Sequence, residues 1–282
     1  MRKTSRLLVN HLDAWVVAMA IVVAALLVHA QLALETLPLV LVIGSAYWLA
    51  FAINDYFDAP QDRLVSQKAD GNYFADNETP RRWFWLVATA LILFIILVIT
   101  GYGWTGWLVV TIGAFAAWAY SAPPIRLKER PGLDLVSHAV FVESYPYVAA
   151  LLLMNVTPTL LDGFILVALF LSSLSAQLEQ QLRDFDLDET TGRTFATVAG
   201  RQITYRLLVG VTLTLLVGAG TFYLLKGVPA YLVPFGFIPL PALLHRLWRG
   251  PSQPRSPGLV VATALVGLGY TIWLVVQATG LN

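Results

Sequence analysis

Residues 37–62 read LPLVLVIGSAYWLAFAINDYFDAPQD. The stretch begins with an apolar run that is long enough to cross a bilayer, which takes about 20 residues. Near its end lie Asn54 and the three acids Asp55, Asp58 and Asp62. Because charged side chains are costly inside hydrocarbon, these acids belong at a membrane surface. The stretch therefore predicts a transmembrane helix that ends in an acidic cluster.

The rest of the chain has the composition of a membrane protein. Of its 282 residues, 57% are hydrophobic and 12% are charged, whereas an ordinary soluble domain has about 25% charged residues. We predict an all-α polytopic membrane protein, with one domain over residues 1–282 and nine transmembrane helices in one bundle. The predicted spans are 14–34, 37–57, 83–101, 104–121, 133–154, 160–183, 203–225, 229–248 and 258–279. The first apolar run exceeds the core of a signal peptide, about 7–15 residues, so we expect it to be retained.

The basic residues predict the orientation of the bundle. Of the 18 Lys and Arg residues, all except Lys226 fall on one side of the nine-span arrangement. Cytoplasmic loops carry an excess of Lys and Arg, so this side is predicted to be cytoplasmic. We expect the amino terminus and the acidic cluster to be cytoplasmic and the carboxyl terminus to lie outside the cell (inner) membrane.

A second acidic cluster ends the sixth predicted span, in the run RDFDLDE at 183–189. Helix positions four apart share a face. This spacing predicts one polar column of Asn54, Asp58 and Asp62, and another of Gln177, Gln180 or Gln181, Asp184 and Asp188. Aspartate at the carboxyl end of a helix interacts unfavourably with the helix dipole. Because two helices carry such a cluster at the same end, a functional role explains the aspartates better than chance placement. The loops after the fourth and eighth spans are basic and proline-rich, which indicates two parallel four-helix halves plus a ninth helix.

Facing carboxylate columns require cations. Two unit charges about 5 Å apart repel by roughly 3 kcal/mol at an effective dielectric near 20. Oxygen ligands without nearby His or Cys favour Mg²⁺, Mn²⁺ or Ca²⁺, and Mg²⁺ commonly combines one or two carboxylates with phosphate oxygens. The clusters therefore predict a bound diphosphate. The basic residues of the same loops that could hold its remaining charge are Arg63, Lys68, Arg126, Lys128 and Arg193.

Three motifs resemble those of the UbiA superfamily of intramembrane prenyltransferases. The pattern Asn54-Asp55-x-x-Asp58-x-x-x-Asp62 resembles its first signature, and Asp184-x-x-x-Asp188, followed by Gly192-Arg193-Thr194, resembles its second. The run YSAPPIRLK at 120–128 resembles the loop after the fourth helix, and its continuation to Asp134 is most similar to the lycopene-elongase type of carotenoid synthesis. The run 63–68 departs from the family, because it lacks the Asn-Pro that many relatives have before Lys68.

The resemblance implies a Mg²⁺-dependent enzyme, with Mn²⁺ as a possible substitute. Such an enzyme ionises an allylic prenyl diphosphate to a carbocation and transfers the prenyl group to a hydrophobic acceptor, such as lycopene, inside the membrane. Its partners would be donor, acceptor and membrane lipids, with no nucleic acid. The residues implied to bind the diphosphate through Mg²⁺ are Asn54, Asp58, Asp62, Asp184 and Asp188, with Asp55 and Asp186 less directly placed. Lys68, Lys128 and Arg193 are implied to lie near the phosphates.

Interior residues extend this hypothesis. A carbocation needs dry aromatic walls, which attract cations, and Tyr120, Tyr145 and Tyr147 are predicted to supply them, with Tyr56 and Phe57 as further candidates. Glu143 lies about ten residues into the fifth span, a depth at which a carboxylate usually has a function. We predict that it contacts the acceptor or removes a proton. The alternative is a protonated Glu that is hydrogen-bonded to a Tyr or Ser on a neighbouring helix.

Other functions stay open at this point. The acceptor could instead be a quinone or other aromatic, a chlorophyll-type molecule or a lipid. A UbiA-like terpene cyclase, or a relative that only binds isoprenoid lipids, would keep the same aspartates. A cation transporter is disfavoured, because transport sites lie near the bilayer midplane, whereas these clusters lie at one end.

Overall fold

The computed structural model describes residues 11–64, 69, 71–75, 81–225, 227–253 and 256–279. Within these ranges the regular elements are helical and no strand occurs, which confirms the all-α prediction. Seven described helices are long and apolar enough to cross a membrane. The count of nine spans and the division into two halves stay predictions.

The longer helices follow the predicted spans closely. They are α1 (Leu12–Val28), α2 (Leu37–Asp62), α3 (Arg82–Thr100), α4 (Gly103–Ser121), α5 (Leu133–Met154), α6 (Leu160–Arg183), α9 (Arg201–Leu224), α10 (Ala230–Trp248) and α11 (Pro257–Thr279). Two short helices, α7 (Phe185–Thr191) and α8 (Phe195–Ala199), lie between α6 and α9. One π-helical turn, Val140–Ser144, interrupts α5.

The first predicted span is too long at its carboxyl end. Helix α1 stops at Val28, where Ala30 takes a left-handed backbone conformation with φ 53. The backbone N–H of Gln31 then donates to the carbonyl of Leu26 at 2.7 Å, a bond typical of helix termination. The polar residues His29 and Gln31 form this turn. The prediction included them in the span because residues 14–34 are apolar on average.

Helix α10 is interrupted where the sequence predicted a continuous span. It consists of a short 3₁₀ turn, a helical piece Val233–Phe237 and a second piece Leu240–Trp248. Pro239 lies at the break. A proline has no backbone N–H and its ring obstructs the preceding turn, so the piece before it ends.

Small side chains let the central helices approach closely. Ala18 and Ala25 of α1 and Ala149 and Ala150 of α5 are completely buried, and α1 also packs along α2. Close contact through small residues is common between membrane helices. Outward-facing residues are large and apolar, with Leu97, Trp104, Leu160 and Leu224 all highly exposed, as lipid-facing surfaces require.

The ends of α2 and α6 differ. Helix α2 continues past Pro60 to Asp62, and the N–H of Arg63 still donates to the carbonyl of Ala59 at 3.2 Å, so the first polar column is continuous. Helix α6 ends at Arg183, and the chain enters α7 after Asp184. The predicted second column is therefore divided between two helices.

Candidate active site

A cavity of about 920 Å³ lies between α2, α3, α4, α5 and α6. It follows α2 from Val42 to Asp62, which is about 30 Å at a rise of 1.5 Å per residue. The predicted residues that line it are Asn54, Tyr56, Phe57, Asp58, Asp62, Tyr120, Lys128, Tyr145, Gln177, Gln180, Gln181, Asp184, Asp188 and Arg193. Both acidic clusters thus lie at one polar end. Apolar residues such as Ile43, Ile95 and Val109 line the rest.

The loop after α4 contacts the first acidic cluster directly. Lys128 donates from Nζ to a carboxylate oxygen of Asp58 and, at 2.9 Å, to Oδ1 of Asn54. Ser121, at the end of α4, donates to the same Asn54 oxygen at 3.1 Å. Burial lowers the pKa of Lys128 below its ordinary value, and the Asp58 carboxylate opposes that shift. These contacts hold the ammonium group of Lys128 over the polar column of α2.

Arg126 lies beside this cluster without lining the cavity. Its Nη2 is 3.5 Å from a carboxylate oxygen of Asp58 and donates to Gln61 at 3.0 Å. Its Nε lies 2.7 Å from Glu129. The backbone at Arg126 is left-handed, with φ 42, a rare conformation for a residue with a side chain. The loop therefore turns sharply here and returns Lys128 to the cavity.

Asp62 is held by a residue that the sequence did not single out. Asn72 is buried and donates from Nδ2 to Asp62 at 2.8 Å and to the backbone carbonyl of Asp55 at 2.7 Å. Its own carbonyl accepts from the N–H of Phe74 at 2.8 Å. Asn72 therefore ties the segment after α2 to the helix end. Lys68, predicted near the phosphates, lies outside the described residues.

The second cluster is formed by the turn from α6 to α7. Arg183 donates to Asp184 through Nε and Nη2, both at 2.9 Å. Asp188, one turn later on α7, lines the cavity with Arg193 from the loop that follows. The turn thus brings Asp184 and Asp188 to the cavity that the α2 acids line.

Asp134 is a second residue without a predicted role. It connects the loop after α7 to the rest of the site. Its side chain is fully buried. Oδ1 accepts from the N–H groups of Gly132 and Leu135 at 2.7 and 2.9 Å. Oδ2 accepts from Gln181 Nε2 and from the N–H of Phe195, both at 2.7 Å. Asn72 lies in a segment for which the sequence showed no motif. Asp134, in the first turn of α5, ended the run that resembles the lycopene-elongase type, but that resemblance implied no role for it.

Two predicted residues lie behind the acidic clusters. Asp55 does not line the cavity, and its Oδ1 lies 2.9 Å from Nε2 of His11. Asp186 points to solvent, with its side chain 85% exposed, and pairs with Arg201. Asp55 lies about 100° around the helix from Asn54, since 3.6 residues make one turn, and its side chain is directed to His11. The geometry does not support direct metal binding by Asp55.

The interior predictions divide in the same way. Tyr120 and Tyr145 line the cavity, and Tyr145 donates its hydroxyl to the carbonyl of Val109 at 2.5 Å. Tyr147 is completely buried elsewhere and donates to Asp162 at 2.7 Å. Glu143 is not among the cavity-lining residues either. It is hydrogen-bonded to Ser172 and lies in the field of Arg246, which agrees with the alternative of a hydrogen-bonded bundle residue.

The donor set fits a metal that binds together with phosphate. No three His, Asp or Glu side chains within the described ranges form a group that could hold an ion by themselves. Asp58, Asp62 and Asp184 contact Lys128, Asn72 and Arg183 respectively. Mg²⁺, however, commonly takes only one or two carboxylates and completes its shell with phosphate oxygens and water. At the polar end, carboxylates outnumber Lys128 and Arg193 among the described lining residues, so an anion could enter only with cations.

Comparison with solved structures shows where this fold occurs. Two solved structures of a UbiA homolog from Archaeoglobus fulgidus share the fold. The structure bound to GPP and Mg²⁺ has a TM-score of 0.73 at 16% identity, covering 97% of this chain and 99% of that chain. The structure bound to DMAPP and Mg²⁺ has a TM-score of 0.72 at 15% identity, covering 96% and 98%.

A curated relative points the same way. The lycopene elongase/hydratase of Corynebacterium glutamicum is 27% identical over 161 residues, and the match spans 56% of each protein. The model of the UbiA prenyltransferase family matches residues 14–258. Because that match covers most of the chain, the protein belongs to the UbiA prenyltransferase family.

Proposed function

We propose that this protein is a membrane-embedded, Mg²⁺-dependent prenyltransferase. It transfers a prenyl group from an allylic prenyl diphosphate to a hydrophobic acceptor. One observation carries the proposal: a single cavity has carboxylates from two helices at its polar end and a long apolar interior below them. A prenyl diphosphate has the same division into a charged head and an apolar tail.

The residues of the polar end would hold the diphosphate. Asn54, Asp58 and Asp62 on one side, and Asp184 and Asp188 on the other, would bind Mg²⁺, with Mn²⁺ as a possible substitute. When bound, the metal would neutralise the leaving group as a Lewis acid. Lys128 and Arg193 would contact the phosphate oxygens, because charge-assisted hydrogen bonds to phosphate are strong. The ester C–O bond then breaks and its electron pair leaves with the diphosphate.

The apolar part of the cavity would receive the prenyl tail and the acceptor. Tyr120 and Tyr145 present rings to this space, and aromatic faces stabilise a nearby cation by about 0.5–2 kcal/mol. Dry walls would also delay quenching by water. A double bond of the acceptor supplies the electron pair for the new carbon–carbon bond, and a proton is then lost.

Lycopene or a related carotenoid is the acceptor that we propose first. The support is the similarity to the lycopene elongase/hydratase over 56% of each chain. A quinone or other aromatic, a chlorophyll-type molecule and a lipid are the alternatives, followed by a terpene cyclase. We also propose nine spans in two four-helix halves plus a ninth helix, a cytoplasmic active site and an external carboxyl terminus, supported by the distribution of basic residues.

The test is expression in a host that accumulates lycopene, followed by mass spectrometry of the carotenoids. The expected product is lycopene extended by prenyl units. Purified protein should release diphosphate from a prenyl diphosphate only with divalent metal, and Asp58→Ala and Asp188→Ala should each abolish release. Activity in EDTA, or in both variants, would refute the metal-dependent mechanism. Release with a cyclic hydrocarbon as product would identify a cyclase, and no release with any donor or acceptor would indicate a binding protein.

A further inference from the structure

The reaction proposed above leaves one step without a residue. After the new carbon–carbon bond forms, the acceptor carries a positive charge, and a neighbouring C–H bond must give up its electrons to make a double bond. A base has to take the proton. Glu143 was predicted for this step, but it lies outside the cavity and bonds to Ser172.

His138 is better placed. It lies on α5, five residues after the helix begins at Leu133, so it is about 7.5 Å below the end of the helix at a rise of 1.5 Å per residue. Its side chain lines the cavity and its ring centroid is 6.4 Å from that of Tyr120. Tyr120 in turn is hydrogen-bonded to Gln177, which lies about 10 Å along α6 from Asp184 by the same helical rise. The imidazole thus lies in the layer just beneath the diphosphate-binding end.

Hydrogen bonding determines which ring nitrogen can act as a base. Ser173 is completely buried and its hydroxyl donates to the backbone carbonyl of His138 at 3.3 Å. We assign the one hydrogen of this hydroxyl to that carbonyl, so the same oxygen accepts from Nδ1 of His138, which is 3.2 Å away. This assignment places the ring hydrogen on Nδ1. In a neutral imidazole the other nitrogen, Nε2, then has a lone pair.

The competing groups near this layer are already engaged as donors. Among the described residues that line the cavity below its polar end, Tyr145 donates to the carbonyl of Val109 and Tyr47 donates to that of Phe141. Phenols are also far weaker bases than imidazole at neutral pH. Two imidazoles line the cavity in the described chain. His11 contacts Asp55 through Nε2 at 2.9 Å, whereas His138 contacts Ser173 through Nδ1, so His138 is the imidazole of this layer whose Nε2 we consider as the base.

We infer that His138 is the catalytic base of the transfer reaction, an inference that rests on the proposed prenyl transfer. Its Nε2 takes the proton from the carbon next to the cationic centre, and the C–H electron pair forms the product double bond. The imidazolium then releases its proton to solvent through the polar end of the cavity. Ser173 acts as a positioning residue, because it holds the tautomer that leaves Nε2 free of hydrogen.

The test separates ionisation of the donor from proton loss. Wild-type protein and His138→Phe are supplied with dimethylallyl diphosphate, Mg²⁺ and lycopene, and diphosphate release and coupled products are measured separately. Because a general base typically contributes about 10²–10⁴-fold, we expect at least a roughly tenfold loss of coupled alkene while the donor KM changes less than about twofold. Alcohol from capture of the cation by water should rise. His245→Phe is the matched control, since His245 lies on α10 away from the cavity.

Two further variants exclude a purely structural effect. Added imidazole should restore coupling in His138→Ala, and Ser173→Ala should lower coupling less than His138→Phe does. Wild-type rates and products in His138→Phe, or no rescue by imidazole, would overturn the role of His138 alone. A wild-type protein that releases no diphosphate would instead overturn the proposed function.

Discussion

Individual contacts at the polar end determine which side chains can meet a diphosphate. Lys128 is the clearest case, because one ammonium group contacts both Asn54 and Asp58. Without a ligand these contacts satisfy a charge that burial would otherwise penalise. With a diphosphate present, the same ammonium can turn toward phosphate oxygens while Asp58 binds metal. We therefore expect Lys128 to exchange partners during substrate binding.

Lys128→Ala should weaken donor binding more than it slows bond breaking. The loss of a hydrogen bond to a charged group costs about 1.5–3 kcal/mol, which corresponds to roughly 10- to 100-fold in kcat/KM. Steady-state kinetics with a prenyl diphosphate would measure it. Arg130→Ala removes the same charge from the same loop, where Arg130 is exposed and its side chain donates to the carbonyl of Pro124 at 3.3 Å. Equal effects of the two changes would contradict a specific role for Lys128.

Asn72→Ala should release Asp62 from its fixed position. A buried hydrogen-bond partner left without its donor costs about 1–3 kcal/mol, so thermal unfolding should occur at a lower temperature. The concentration of Mg²⁺ needed for half-maximal activity should also rise. Gly71→Ala is the neighbouring control, because a Cβ there meets no atom within 4 Å. An unchanged metal requirement in Asn72→Ala would show that Asp62 needs no such support.

At the scale of elements, Asp134 joins two loops that come from different parts of the chain. The loop after α4 supplies Lys128, and the loop after α7 supplies Arg193. Asp134 binds the first through Gly132 and the second through Phe195. Both cations that line the polar end in the described chain thus depend on the same buried carboxylate for their spacing.

Asp134→Asn should raise the donor KM by about tenfold or more, because an amide N–H₂ would face the donors of Gln181 and Phe195, and an unmatched buried polar pair costs about 1–3 kcal/mol. The double variant Asp134→Asn with Gln181→Glu restores an acceptor opposite the new donor. We expect it to recover part of the lost affinity, since Phe195 still lacks its acceptor. If the double variant were no better than the single one, the hydrogen-bond network would not explain the effect.

The elements that could be predicted from the sequence were those set by local composition. Apolar runs located the helices, and acids at the ends of α2 and α6 located the polar end of the cavity. The direction of each side chain depends on how its helix is rotated about its own axis. A short stretch of sequence does not determine that rotation. Asp55 and Tyr147 were therefore assigned to the site although their helices turn them away. Glu143 lies within a π turn, whose extra residue changes the phase of α5 and cannot be read from periodicity.

For the whole molecule, orientation in the membrane is the main property to test. The chain contains no cysteine, so single introduced thiols can be labelled without background. Asn155, between α5 and α6, and Ser252, after α10, are both exposed. A membrane-impermeant maleimide should label Asn155→Cys in intact cells and Ser252→Cys only after lysis. The reverse pattern would invert the predicted topology and place the diphosphate site outside.

The π turn in α5 also bears on how such a protein can change over time. A π turn holds one more residue than the α-helical turn that it replaces, and each residue rotates a helix by about 100°. Deleting one residue between Val140 and Ser144 would rotate the part of α5 that carries His138 relative to the part that carries Tyr145. A single-codon deletion would thus turn His138 relative to the rest of the cavity without any amino-acid substitution. Among related genes, we therefore expect a change of reaction product to accompany the insertion or deletion of one residue in this π turn. Such length differences should be compared before point substitutions.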